Sequence, residues 1–221
     1  MTKKTVMCFG DSLTWGWIPQ DPPFPSSRFN RDTRWTGVLA DRLGDDYVVI
    51  EEGLVGRTTT VEDFTDPRVN GAAYLPAALA SHQPLELVII LLGTNDTKAS
   101  VGRTPVQIGE GMSTLVGQVL TSAGGIGTTY PAPEVLMISP PPLAFPRDPY
   151  FDLLFDGAQE KSAELAPVYR SLASLLRVSF FDAGSVISTE GIDGIHLSAQ
   201  NNIDLGNAVA VEVGHILGEA G

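Results

Sequence analysis

Five short stretches dominate the pattern of this chain: TVMCF from Thr5, YVVIE from Tyr47, LVIILL from Leu87, EVLMIS from Glu134 and VSFFD from Val178. Each is rich in β-branched and aromatic residues and almost uninterrupted in its apolar character, as expected of strands buried on both faces. Between them lie segments of helical type: RWTGVLADRL, AAYLPAALASH, residues 105–122 and residues 157–176, with a last one over residues 198–217. Strand and helix alternate five times. That alternation predicts an α/β fold with one five-stranded parallel sheet, helices on both faces and right-handed crossovers. The expected strand order is 2-1-3-4-5. Pro105 suits a first helical turn, Gly44 follows the first helix and Ser198 can cap the last. No low-complexity linker divides the 221 residues, so residues 1–221 read as one domain.

Composition narrows the partners. A formal net charge of −12 leaves no basic stripe to release counterions from a phosphate backbone, so nucleic acid is excluded as an expected partner. Small neutral substrates fit better. The one cysteine, Cys8, sits inside the first apolar run and reads as a small buried hydrophobe; nothing demands an oxidising compartment. The apolar run after Lys3-Lys4 is broken by Gly10 and Asp11 far short of the ~20 residues a membrane span needs. A cytoplasmic protein without a membrane partner is therefore expected. No His/Cys/Asp group has metal-ligand spacing, so neither metal nor cofactor is expected. Two long proline-rich connections, IPQDPPFPSSRFNRD after Trp17 and SPPPLAFPRDPYFDLLF after the fourth strand, are expected to form stiff pocket walls or interface elements.

In an open parallel sheet, ligands bind beyond the carboxyl ends of the strands. Those ends here deliver chemistry. The first strand runs into GDSL with Ser12, the second into EEGLVGR with Gly53 and Gly56, the third into GTND with Asn95, and beyond the fifth lies DGIH with Asp193 and His196. A serine hydroxyl needs a base, and an imidazole both accepts and returns a proton, so His196 is the expected base and Asp193 the group that fixes its tautomer. The backbone N–H groups of Ser12 and Gly56 and the side-chain amide of Asn95 are the expected donors to an oxyanion. Trp15, Trp17, Ile195, Phe151, Leu154 and Phe155 flank these segments, so the mouth should be apolar and narrow. An acyl-enzyme there would meet few waters, and an organic alcohol could compete for the acyl group.

Taken together, GDSL, the glycine after the second strand, GTND and DxxH resemble the SGNH hydrolases, also called GDSL esterases. The resemblance covers the whole chain and is nearest to the bacterial arylesterase and acyltransferase group, through runs such as CFGDSLTWGW, RWTGVLA, LGTNDTK, LTSAGG and FFDAGSVIS. It implies a flavodoxin-like three-layer sandwich, a Ser12-His196-Asp193 triad, an oxyanion hole from Ser12, Gly56 and Asn95, and no cofactor. It also implies activity on small esters, with acyl transfer to alcohols or hydrogen peroxide beside hydrolysis, and a large homo-oligomer, an octamer among the expected sizes. Leu13, Trp17, Val55, Phe155 and Ile195 are then the expected substrate contacts. Gly56 stands where that group can carry alanine, which keeps the backbone donor.

Other readings are weaker. A carbohydrate acetylesterase would use the same residues, but a secretion signal and a polar mouth would favour it and the sequence offers neither. A nucleotide- or flavin-binding module would need a glycine-rich loop after the first strand, and Gly10-Asp11-Ser12-Leu13-Thr14 lacks the second glycine of a G-x-S-x-G elbow. GGIGTT from Gly124 follows a helix and reads as its terminator. Asp11 is expected to shape its turn, Asp96 to act as a cap or turn former, His82 and His215 to be surface or cap residues, Trp35 to be core, and Glu51-Glu52 to pair with Arg57.

Overall fold

The computed structural model describes residues 3–63, 66–189 and 191–218. Its strands β1 (Lys4–Gly10), β2 (Tyr47–Gly53), β3 (Leu87–Leu91), β4 (Glu134–Ser139) and β5 (Ser179–Asp182) form one sheet in the order β2-β1-β3-β4-β5. Every adjacent pair is parallel. The helices are α1 (Ser12–Trp15), α2 (Trp35–Leu43), α3 (Gly71–His82), α4 (Pro105–Leu120), α5 (Pro149–Leu154), α6 (Ala158–Ala163), α7 (Leu165–Leu176) and α8 (Ala199–Leu217). Among the described residues no helix is long and apolar enough to cross a membrane.

Successive side chains of a strand point to opposite faces, so the apolar runs supply two cores at once. Met7, Phe9, Val88, Ile90 and Met137 pack with α3, α4 and α7 on one face. Val6, Cys8, Ile89, Leu91 and Leu136 pack with α2 and α8 on the other, around the fully buried Trp35. The central strands β3 and β4 are apolar because neither face is wet, whereas the edge strands β2 and β5 are only half-buried and Val48 of β2 is exposed.

Residues 157–176, expected as one helix, are two. Pro167 has no N–H to give and its ring excludes the carbonyl of Ala163, so α6 ends there and α7 restarts after Glu164. Two short helices, α1 and α5, lie where the sequence pattern predicts loop. Asp148 begins α5 by accepting the N–H groups of Tyr150 and Phe151 at 2.9 and 3.1 Å, with Pro149 in the first turn.

The acidic pair at the end of β2 also differs from expectation. Glu51 binds Arg34 at 2.6 Å and Arg28 at 3.1 Å, whereas Glu52 meets His82 Nε2 at 2.8 Å. Arg57 turns away from Glu51: its guanidinium donates to the carbonyls of Gly10, at 3.0 Å, and Glu52, and lies 4.2 Å over the Phe9 ring. It thus ties the carboxyl ends of β1 and β2 together beneath the rim where the motifs meet.

Candidate active site

At the end of β1, Asp11 accepts the N–H of Leu13 at 2.9 Å and caps α1. That helix lasts one turn before Gly16, in the left-handed region, stops it. Ser12 is therefore held at the first position of a tight strand-to-helix turn on the carboxyl edge of the sheet. Neighbouring β2 approaches this turn closely, because a Cβ on Gly53 would stand 2.3 Å from the backbone nitrogen of Trp15.

The DGIH segment is built around one carboxylate. Asp193 Oδ1 accepts the N–H groups of Ile195 at 3.0 Å and His196 at 2.8 Å, fixing the local turn. Its Oδ2 lies 2.7 Å from His196 Nδ1, and His196 Nε2 lies 3.0 Å from Ser12 Oγ. Burial pushes the Asp193 carboxyl up, but the hydrogen bonds from His196 and Ile195 outweigh burial and hold it below its ordinary value. Trp17 stacks on the imidazole, with ring centroids 5.1 Å apart and planes 21° from parallel, which further restricts the ring.

Ser12, Gly56 and Asn95, the expected oxyanion donors, line the same cleft. Among the described residues the backbone N–H groups of Ser12 and Gly56 donate to no protein acceptor. Gly56 has φ +83° and a Cβ would meet only Val69 at 3.6 Å, so an alanine here would be opposed by backbone strain and not by lack of room. Asn95 Nδ2 donates to the carbonyl of Arg57 at 3.1 Å and to Asp11 Oδ2 at 3.3 Å. One amide thereby joins the loops after β1, β2 and β3.

Beneath Asn95 lie two buried carboxyls. Burial pushes Asp11 up to about 7, with the charge of Asp96 adding to it against the Leu13 N–H and Arg57. Asp96, expected to cap or turn, instead accepts the N–H and hydroxyl of Thr59 and lies 3.6 Å from Arg103; burial pushes it up to about 6. Both groups hold a proton more tightly in the folded chain than in the unfolded one. Folding stability should accordingly fall as pH rises from about 4, the ordinary carboxylate value, to about 7. Urea unfolding of Asp96→Asn should show a decline over that window smaller by on the order of 2–3 kcal/mol than the parent, and an unaltered decline would refute the assignment.

The walls of the cleft are apolar. Ser12, Gly56, Asn95 and His196 open into a space of about 210 Å³ bounded by Trp17, Val55, Phe151, Leu154, Phe155 and Ile195, with Phe24, Tyr150 and Lys98 at its sides. Phe24, from the first proline-rich loop, meets Trp17 edge-on at 5.8 Å and Phe151, from the second, at 5.4 Å, so the two loops close over the site together. Phe24, Tyr150 and Lys98 were not anticipated; an aromatic residue between Pro23 and Pro25 was the signal for the first. Leu13, expected as a substrate contact, is 2% exposed and packs in the core with Trp35 and Leu39, because the single turn of α1 points the residue after Ser12 back under the sheet. Trp15 is not in the cleft either; Arg28 covers its ring at 5.5 Å. A larger groove of about 680 Å³ along α2 and β2 holds none of the expected catalytic, oxyanion or substrate-contact residues. Among the described residues no three His, Cys, Asp or Glu side chains come together to hold a metal ion.

The likeness to known proteins runs the full length of the chain. The carbohydrate acetylesterase Est24 from Sinorhizobium meliloti is 59% identical with TM-score 0.96, covering 97% of this chain and 100% of that one. The aryl esterase from M. smegmatis is 62% identical with TM-score 0.95, covering 96% and 99%. A carbohydrate acetylesterase family member from Sinorhizobium meliloti is 41% identical with TM-score 0.89, covering 97% and 99%. No curated protein sequence matches. Residues 8–201, from Cys8 into the first turn of α8, match the model of the GDSL-like lipase/acylhydrolase family, and the chain belongs to that family of ester-cleaving enzymes.

Proposed function

We propose that the chain is a serine esterase for small carboxylic esters that works through an acyl-enzyme and passes the acyl group to alcohols, and to hydrogen peroxide, as well as to water. The observation that carries this reading is the relay Ser12 Oγ–His196 Nε2 at 3.0 Å and His196 Nδ1–Asp193 at 2.7 Å, set at the floor of an apolar cleft.

In the first half-reaction Ser12 Oγ attacks the ester carbonyl while Nε2 takes its proton; the Asp193 carboxylate stabilises the imidazolium. The carbonyl oxygen becomes anionic beside the N–H groups of Ser12 and Gly56. Asn95 supplies the third donor by yielding its longer bond, to Asp11. As the C–O bond breaks, His196 returns the proton to the leaving alcohol. The second half-reaction runs the same path backwards with water, an alcohol or a peroxide as nucleophile. Asn95→Ala should lower kcat for p-nitrophenyl acetate by roughly 10²–10³-fold with a much smaller change in KM, since the lost bond forms only in the transition state; equal loss in KM would contradict the role.

Transfer in water requires that alcohols outcompete water at the acyl-enzyme. Trp17, Phe151, Phe155 and Ile195 favour that by drawing in organic nucleophiles and holding few waters. A homo-oligomer, the octamer included, fits the apolar residues on the segments bordering the mouth, where Phe145 is 76% and Leu153 75% exposed; copies covering these side chains would narrow the entrance. A panel of p-nitrophenyl esters with and without 1-butanol, with products separated chromatographically, tests the reading: butyl esters should form alongside free acid. Release of p-nitrophenol without any butyl ester would reduce the function to hydrolysis, and light scattering reads the assembly.

Carbohydrate acetyl esters are the second reading. Its support is the Sinorhizobium meliloti relative together with a hollow beside the cleft that carries Glu62, Asp63 and Ser100.

A further inference from the structure

Beside the catalytic cleft lies a second cavity of about 300 Å³, at the lower end of the roughly 300–1,000 Å³ typical of small-molecule sites. The two share a wall made of Lys98, Tyr150 and Leu154. The second cavity differs in chemistry, because Glu62, Asp63 and Ser100 stand beside Val61 and Val101 in its lining, where the cleft is aromatic. It also begins one short turn from the oxyanion amide: the Lys98 N–H donates to the Asn95 carbonyl at 3.4 Å. The Lys98 ammonium sits 5.9 Å over the Phe155 ring. Burial draws its pKa below the ordinary lysine value, opposed by the charges of Asp63, Asp11 and Asp96.

An ester has two halves, and the acyl half suits the aromatic cleft around His196. We infer that the side cavity is the subsite for the alcohol half and that it selects neutral, hydroxyl-bearing alcohols, with Lys98 donating to one hydroxyl oxygen and Glu62 accepting from another. The charge pattern argues for this class. An anion would meet Glu62 and Asp63, a cation would meet Lys98, and an alkyl chain would suit Val61 and Val101 but displace water from the charged groups without replacing its hydrogen bonds. A polyol both donates and accepts. Glu62 has capacity for it, since Oε1 takes the Asn70 amide at 2.9 Å and, among the described residues, no hydrogen bond engages Oε2.

This inference rests on the esterase reading, and its test separates the two. With p-nitrophenyl acetate as donor, every acceptor meets the same acetyl-Ser12. The acceptor oxygen bonds to the acetyl carbon, its proton passes to His196, the bond to Ser12 Oγ breaks and that oxygen regains the proton. The ratio of glyceryl acetate to propyl acetate, formed from equal concentrations of glycerol and 1-propanol, therefore reports the alcohol subsite alone and is independent of acylation rate and of the amount of active protein. Lys98→Met should lower that ratio about fivefold, the worth of one hydrogen bond. Ser100→Tyr, at an exposed position on the cavity rim, should lower it likewise by filling the space. Ratios within twofold of the parent in both variants would overturn the inference while leaving the esterase intact. If the acetyl-enzyme reacts with water alone, the same comparison is read from kcat/KM for glyceryl monoacetate over propyl acetate: a fall of about fivefold in the variants supports the subsite, and ratios within twofold of the parent overturn it. A parent that releases no p-nitrophenol would overturn both.

Discussion

Ser12→Ala is expected to lower kcat for p-nitrophenyl acetate by on the order of 10⁴-fold or more. Among the described residues the hydroxyl is the nucleophile that His196 Nε2 meets, at 3.0 Å, and the carboxyls of Asp11 and Asp96 nearby are fully buried. The backbone N–H of residue 12 survives the substitution, and so do Asn95 and Gly56. The variant should therefore keep the thermal stability and ester affinity of the parent and lose only the covalent step. Mass spectrometry after organophosphate treatment checks this independently. The label should sit on the peptide containing Ser12 in the parent and be absent from the variant; a label elsewhere, or activity above about 1% of the parent, a loss far smaller than removal of a nucleophile brings, would end the assignment.

Asp193→Asn should cost nearly as much, about 10⁴-fold in kcat, by a different route. The wild-type carboxylate accepts from two backbone N–H groups and from Nδ1. An asparagine can keep the two backbone bonds through its oxygen, but its NH₂ then faces Nδ1 and can only donate. The ring proton is driven to Nε2, where it points at Ser12 and leaves the hydroxyl without a base. Geometry is kept while direction is reversed, so KM should change little. The imidazole proton resonance bonded to Asp193 in the parent should vanish from the NMR spectrum; its persistence with full loss of activity would mean that Asp193 acts otherwise.

Much of this arrangement was legible in the sequence because it depends on local rules. Uninterrupted apolar runs announce two-faced burial, and a parallel sheet sends GDSL, Gly56, GTND and DGIH to one rim whatever the loops do. What was illegible depends on distance. Glu52 finds His82 and Arg57 finds the Gly10 carbonyl because β2 lies beside α3 and β1, contacts that no spacing encodes. Asp96 has the sequence context of a turn former; its partner Thr59 is 37 residues away. Leu13 departs from expectation for a local reason, the one-turn helix that the pattern of apolar residues is too short to announce.

The nucleophile and its donors hang from strand ends locked in the ladder, whereas Phe24 and Phe151 come from loops that contribute no strand to it. Chemistry and selectivity are thus encoded in separable parts of the gene. Drift or laboratory recombination confined to codons 18–33 and 148–157 can retune what enters the enzyme, while Ala144, whose N–H holds the Gly194 carbonyl at 3.0 Å beside the catalytic turn, stays with the reacting part; a lineage built on this frame can diversify its diet faster than its mechanism.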